Sequence, residues 1–112
     1  MKALLAFTLA LGGCATVADL RTSAPFMRLE TAKGVQEVGS CVAQQWSARS
    51  GATNTAPRPA GLTLTLSYVV YSNTLTAAAV DVDDRGSSRT VSVYARKGDA
   101  NDKLRREISA CV

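Results

Sequence analysis

From Leu62 to Val70 an apolar side chain stands at every second position, at Leu62, Leu64, Leu66, Tyr68 and Val70, with Thr63, Thr65 and Ser67 between them. A period of two puts alternate residues on opposite faces of a strand, so this run predicts a strand with one apolar face. Leu75 to Asp83 repeats the pattern with Ala78, Val80 and Val82 inward, and Arg89 to Arg96 does so with Val91, Val93 and Ala95. The turn chemistry of Ser72-Asn73-Thr74 and of Asp83-Asp84-Arg85-Gly86-Ser87 separates the three runs, and connections this short predict an antiparallel meander. Between Thr31 and Arg49 the period changes: Val35, Val38, Val42 and Trp46 recur at three and four residues, with Cys41 beside them, which predicts an amphipathic helix capped by Thr31. Leu104, Ile108 and Cys111 share one face of a closing helix, with Asp99 as its expected N-cap. Gly51 to Gly61, which contains Asn54, Pro57 and Pro59, reads as a loop. Ala15 to Glu30 shows no clean period and reads as a tether with a mean span of ~20 to 24 Å.

The head of the chain follows a different rule. Lys2 is followed by nine almost wholly apolar residues, Ala3 to Leu11, and then by Gly12-Gly13-Cys14. A positive start, a short apolar stretch and small residues before a cut site are the parts of a secretion signal, and a membrane-spanning helix would need ~20 apolar residues. Leu11-Gly12-Gly13-Cys14 resembles the bacterial lipobox at each of its four positions. The resemblance covers the first fourteen residues and implies a lipoprotein: signal 1–13 is removed and the Cys14 thiol carries diacylglycerol. The resemblance further implies an acyl chain such as palmitate on the new amine. Two or more chains anchor stably where one is marginal. Because Ala15 rather than Asp follows the cysteine, the resemblance implies the periplasmic face of the outer membrane. The expected organisation is therefore signal 1–13, lipidated terminus and tether 14–30, and one domain over 31–112.

With Cys14 taken by lipid, Cys41 and Cys111 are left as an even pair in an oxidising compartment, where a disulfide is expected. That bond would set the two helices side by side over the apolar face of the sheet. Pattern and disulfide together predict an α+β two-layer sandwich in the order α-β-β-β-α, a three-stranded meander with two helices on one face.

Charge and chemistry narrow the function further. The 13 Lys and Arg exceed the 9 Asp and Glu only slightly, are scattered, and accompany an export signal, so nucleic acid is not an expected partner. No histidine is present, which removes Ser-His-Asp and Cys-His catalysis and the commonest zinc ligand. The carboxylates Asp81, Asp83 and Asp84 are the remaining candidates for acid chemistry, and acids at a strand end and turn are more simply solvated turn formers. A calcium loop fails there, with Arg85 and Ser92 where acids are required. No catalytic residue, metal site or cofactor beyond the lipid on Cys14 is therefore expected. The hydroxyl-rich outer face of the sheet, with Thr63, Thr65, Ser67, Tyr71, Ser92 and Tyr94, is the expected partner surface, since tyrosine offers rigid contact area. The resulting expectation is a non-enzymatic envelope lipoprotein that binds a protein partner as an accessory or structural subunit. An inhibitor, immunity-type or phage-exclusion lipoprotein is the alternative, and a cell-wall hydrolase is disfavoured.

Overall fold

A computed structural model describes residues 16–112. The expected signal 1–13 and Cys14, the expected site of lipidation, lie outside the described residues. The element order is α1 (Val17–Leu20), β1 (Met27–Thr31), α2 (Val35–Trp46), β2 (Ala52–Arg58), β3 (Gly61–Val70), β4 (Asn73–Asp84), β5 (Arg89–Ala95) and α3 (Asp102–Ser109). The strands form one antiparallel sheet in the order β1-β5-β4-β3-β2.

This corrects the expected three-stranded α-β-β-β-α arrangement. The meander β3-β4-β5 is present, but it is the centre of a five-stranded sheet, and a third short helix precedes it. Both additional strands are edges. β1 arises within the segment read as tether, where Met27 and Leu29 face inward opposite Val93 and Val91. β2 arises within the segment read as loop, with Pro57 opposite Leu62. A proline is tolerated there because an edge strand has one side whose N–H groups need no ladder partner.

The inner face carries the core. Val38, Val42 and Trp46 of α2 and Leu104 and Ile108 of α3 are buried against Leu64 and Leu66 of β3, Val80 and Val82 of β4, and Val91 and Val93 of β5. Cys41 and Cys111 are joined as a disulfide with Cα atoms 5.5 Å apart, which ties α2 to the end of α3. Two expected caps differ. Thr31 closes β1 opposite Arg89, and its hydroxyl accepts from the Lys33 amide, so α2 starts at Gly34 without a side-chain cap. Asp99 instead pairs with Arg96, and Asn101 caps α3 by accepting from the Leu104 amide at 3.1 Å.

Two glycines are set by close approach. A Cβ at Gly61 would strike the Val82 carbonyl, and one at Gly51 would sit 2.6 Å from the Ser67 carbonyl and against the Tyr68 ring. Both lie where β2 and β3 enter the sheet, so they fix how tightly its edge closes on β4 and on the base of the β3–β4 hairpin.

Candidate functional site

The outer face of the sheet is partly covered by the chain's own N-terminal segment. Thr16 and Asp19 form a reciprocal cap, each side chain accepting from the other's amide at 3.2 and 3.0 Å, which starts α1. Leu20 is buried, and Ala79 of β4, whose small side chain admits a close neighbour, is fully covered. One turn after Val17, Arg21 reaches over β4. Its Nε and Nη2 donate to the two Asp81 oxygens at 3.0 and 2.6 Å, and Nη2 also donates to the Thr63 hydroxyl at 3.1 Å. The Thr63 hydroxyl donates to Asp81 at 2.7 Å, and Arg58 approaches Asp81 at 3.5 Å while holding Asp83 at 3.0 Å.

Burial alone would raise the Asp81 pKa. The hydrogen bonds from Arg21 and Thr63 and the charges of Arg21 and Arg58 outweigh it and hold the carboxyl below its ordinary value. The same pairing raises Arg21. Asp84, in the exposed β4–β5 turn, is lowered first by the Gly86 amide that it accepts from and then by Arg89. Asp81 and Asp83 thus share one strand face, as their spacing predicts, but each is occupied by arginine. Asp81, held ionised in the Arg21 fork, has no proton to donate and little basicity to offer.

The six residues expected on a partner surface divide. Thr63 and Ser92 are buried, Thr63 under the Arg21 fork and Ser92 in register between Arg28 and Asp81, so neither presents a contact surface. Thr65, Ser67 and Tyr94 are half-buried, and Tyr71 is 95% exposed. Thr65 lines a shallow recess of about 290 Å³ with Val17, Arg21 and Arg58. Trp46, expected in the core, is fully buried there.

Sequence reasoning missed the sharpest surface feature. β2 ends opposite Ser67 and β5 ends opposite Ala78, while β3 and β4 stay paired out to Val70 and Asn73. The hairpin end therefore projects past both neighbours as a two-stranded finger. Its turn residues, Tyr71 and Ser72, have φ of 50° and 69°, the two left-handed conformations that a tight mirror-image hairpin turn requires. Asparagine and glycine are the usual occupants, and a tyrosine there costs of order 1 kcal/mol. The finger's base is braced from the helix side. Arg49 donates to the Tyr68 hydroxyl at 3.3 Å and forks onto Glu107 of α3 at 2.6 and 3.0 Å, a pairing that raises the arginine's pKa. An open recess of about 440 Å³ lies beside this base, lined by Ser50, Gly51, Ala52, Ser67, Tyr68 and Val69.

Among the described residues no cluster of three or more histidine, cysteine or acidic side chains could hold a metal, and no helix is long and apolar enough to cross a membrane. No family model matches the chain, and comparison with curated proteins and with solved structures likewise finds no match, so the functional reading rests on the residues themselves.

Proposed function

We propose that the chain is an exported lipoprotein, held by acyl chains on Cys14 at the periplasmic face of the outer membrane, that acts by binding as an accessory or structural subunit of the cell envelope. The address follows from the lipobox resemblance of Leu11-Gly12-Gly13-Cys14. The observation that supports binding over catalysis is the finger: the exposed large apolar side chains among the described residues are Val69, Val70 and Tyr71, gathered on a projecting tip rather than in a cleft. Convex apolar patches of this kind mark contact surfaces, whereas enzyme sites are concave with converging polar groups. Asp81 and Asp83, which catalysis would need, already neutralise Arg21 and Arg58.

Crosslinking of the native protein in intact cells, followed by purification of the adduct, tests this reading. One reproducible envelope partner is the expected result. Turnover of a cell-wall substrate that is abolished by Asp81→Asn or Asp83→Asn, with the fold intact, would contradict it.

A further inference from the structure

The finger carries its apolar tip without protection. From Gly61 to Val80 there is not one charged residue, so neither lysine nor an acid guards the hairpin end. Val69, Val70 and Tyr71 are 74%, 44% and 95% exposed, and a two-stranded ribbon gains little stability of its own in water. Such a tip needs a covering surface, and the position of the chain's N-terminal end says which one.

We propose that the finger dips into the headgroup layer of the membrane that holds Cys14, so that the domain is attached at two points. The inference rests on the lipid-anchor reading above and names the surface that the finger meets. Val17 and Thr65 line one recess on the outer face, together with Ala56, Arg58 and Thr63. Thr65 and Tyr71, at the turn, are six residues apart, ~20 Å at strand spacing. Cys14 precedes Val17 by three residues, so an extended peptide carries it up to ~10 Å from that point. The ~10 Å left over is within the ~5 to 10 Å by which interfacial apolar groups enter the boundary of headgroups and acyl chains. Anchor and tip can therefore occupy one interface, which a domain swinging on a 16-residue tether would not ensure.

The side chains suit that interface. A tyrosine ring is amphipathic and is enriched at headgroup level, and Tyr71 at the turn leads the finger with Val70 and Val69 just behind it. Without lysine or arginine the tip has no charge attraction to phosphate, and without an acid it has no repulsion. Insertion driven by three side chains is too weak to recruit the protein by itself. It becomes effective once the acyl chains hold the tip at high local concentration. The left-handed Tyr71 and Ser72 and the Arg49–Tyr68 brace keep the finger from folding back.

The test uses the full acylated protein on vesicles of phosphatidylethanolamine and phosphatidylglycerol with brominated acyl chains, which quench tryptophan only on close approach. Wild type supplies the reference, because its single tryptophan, Trp46, is fully buried in the core. Tyr71→Trp adds a reporter at the tip. The expected result is a blue-shifted added emission that bromine reduces roughly twofold or more, as for an interfacial side chain. Placing Val69→Asp and Val70→Asp in the same chain should restore a water-exposed, unquenched signal; if those variants fail to fold, Tyr71→Trp alone decides. Unquenched, water-exposed emission from acylated, vesicle-bound protein overturns the inference and leaves the lipid anchor standing. A blue shift without bromine quenching also overturns it, since the tip is then covered by protein, either a second copy or a partner. Intact mass without acyl chains refutes the anchor and the inference together.

Discussion

Replacing Cys41 and Cys111 together by alanine is expected to lower the free energy of unfolding by about 4 kcal/mol. The bond closes a stretch of 70 residues that contains the whole β2-β3-β4-β5 run, so in the unfolded chain it restricts nearly everything that later becomes the sheet. Chain-entropy arguments give the largest effects for the longest loops, and for a domain whose total stability is ~5 to 15 kcal/mol this is a large share. The helices would keep the packing of Trp46, Leu104 and Ile108 but lose the tie between the middle of α2 and the end of α3. In urea the midpoint should fall by roughly 2 to 4 M, and the slope should rise as the unlinked unfolded state expands. A fall of less than about 1 kcal/mol, within the range of an ordinary surface change, would mean that the two helices are held by packing alone.

Asp81→Asn is expected to cost about 2 kcal/mol at pH 7 and to remove a specific part of the protein's acid sensitivity. The carboxyl is 5% exposed and receives two bonds from Arg21, one from Thr63, and the nearby charge of Arg58. Breaking a fully buried pair costs ~3 to 5 kcal/mol, and the figure is lower here because Arg21 keeps 34% of its side-chain surface in water, which screens the loss. The sign of the pH effect follows from the direction of the shift. The folded carboxyl titrates below the ordinary value of 3.8, so ionised Asp81 favours the fold. Its contribution is complete above that value and is lost as the pH falls through it toward the lower folded value. Unfolding of wild type and Asp81→Asn between pH 7 and pH 3 should therefore show a gap that is widest near neutrality and narrows at the acid end. A gap that stays constant over that range would show that Asp81 acts by shape and not by charge. Arg21 loses its charge partner in the variant and keeps only neutral ones, so amide exchange in α1 should quicken more than in α2.

These expectations draw on a fold that was only partly legible in the chain. The central strands were readable because a strand with one buried face must alternate, and Leu62, Leu64 and Leu66, Val80 and Val82, and Val91 and Val93 do so without interruption. The same holds for the helix stripe of Val38, Val42 and Trp46, and for the cysteine pair that no other chemistry claimed. Edge strands are harder to read because one partner strand suffices and little of them is buried. Met27-Arg28-Leu29-Glu30-Thr31 does alternate, but with only two apolar side chains facing in. β2 shows Thr53, Thr55 and Pro57 to the leucines of β3, and Pro57 with Pro59 just after the strand signals a loop to any local reading.

The outer face failed for a different reason. Period two correctly separated Thr63 and Ser92 from the core side, but it cannot tell that a segment some forty residues upstream folds over part of that face. One signal was available: Thr16-Val17-Ala18-Asp19 has the spacing of a helix-starting cap, and Arg21 stands two residues after it. The finger was hidden in the pattern itself, since Tyr68 and Val70 continue the alternation past the point where both neighbouring strands stop. Nothing in β3 alone records where its neighbours end.

The address of the chain is tested most directly by the intact and peptide mass of the protein extracted from membranes without reductant. It should begin at Cys14 carrying diacylglycerol and an N-acyl chain, with the peptides of Cys41 and Cys111 linked. A chain that retains Met1, carries no lipid and has free thiols at both positions in the soluble fraction would contradict it.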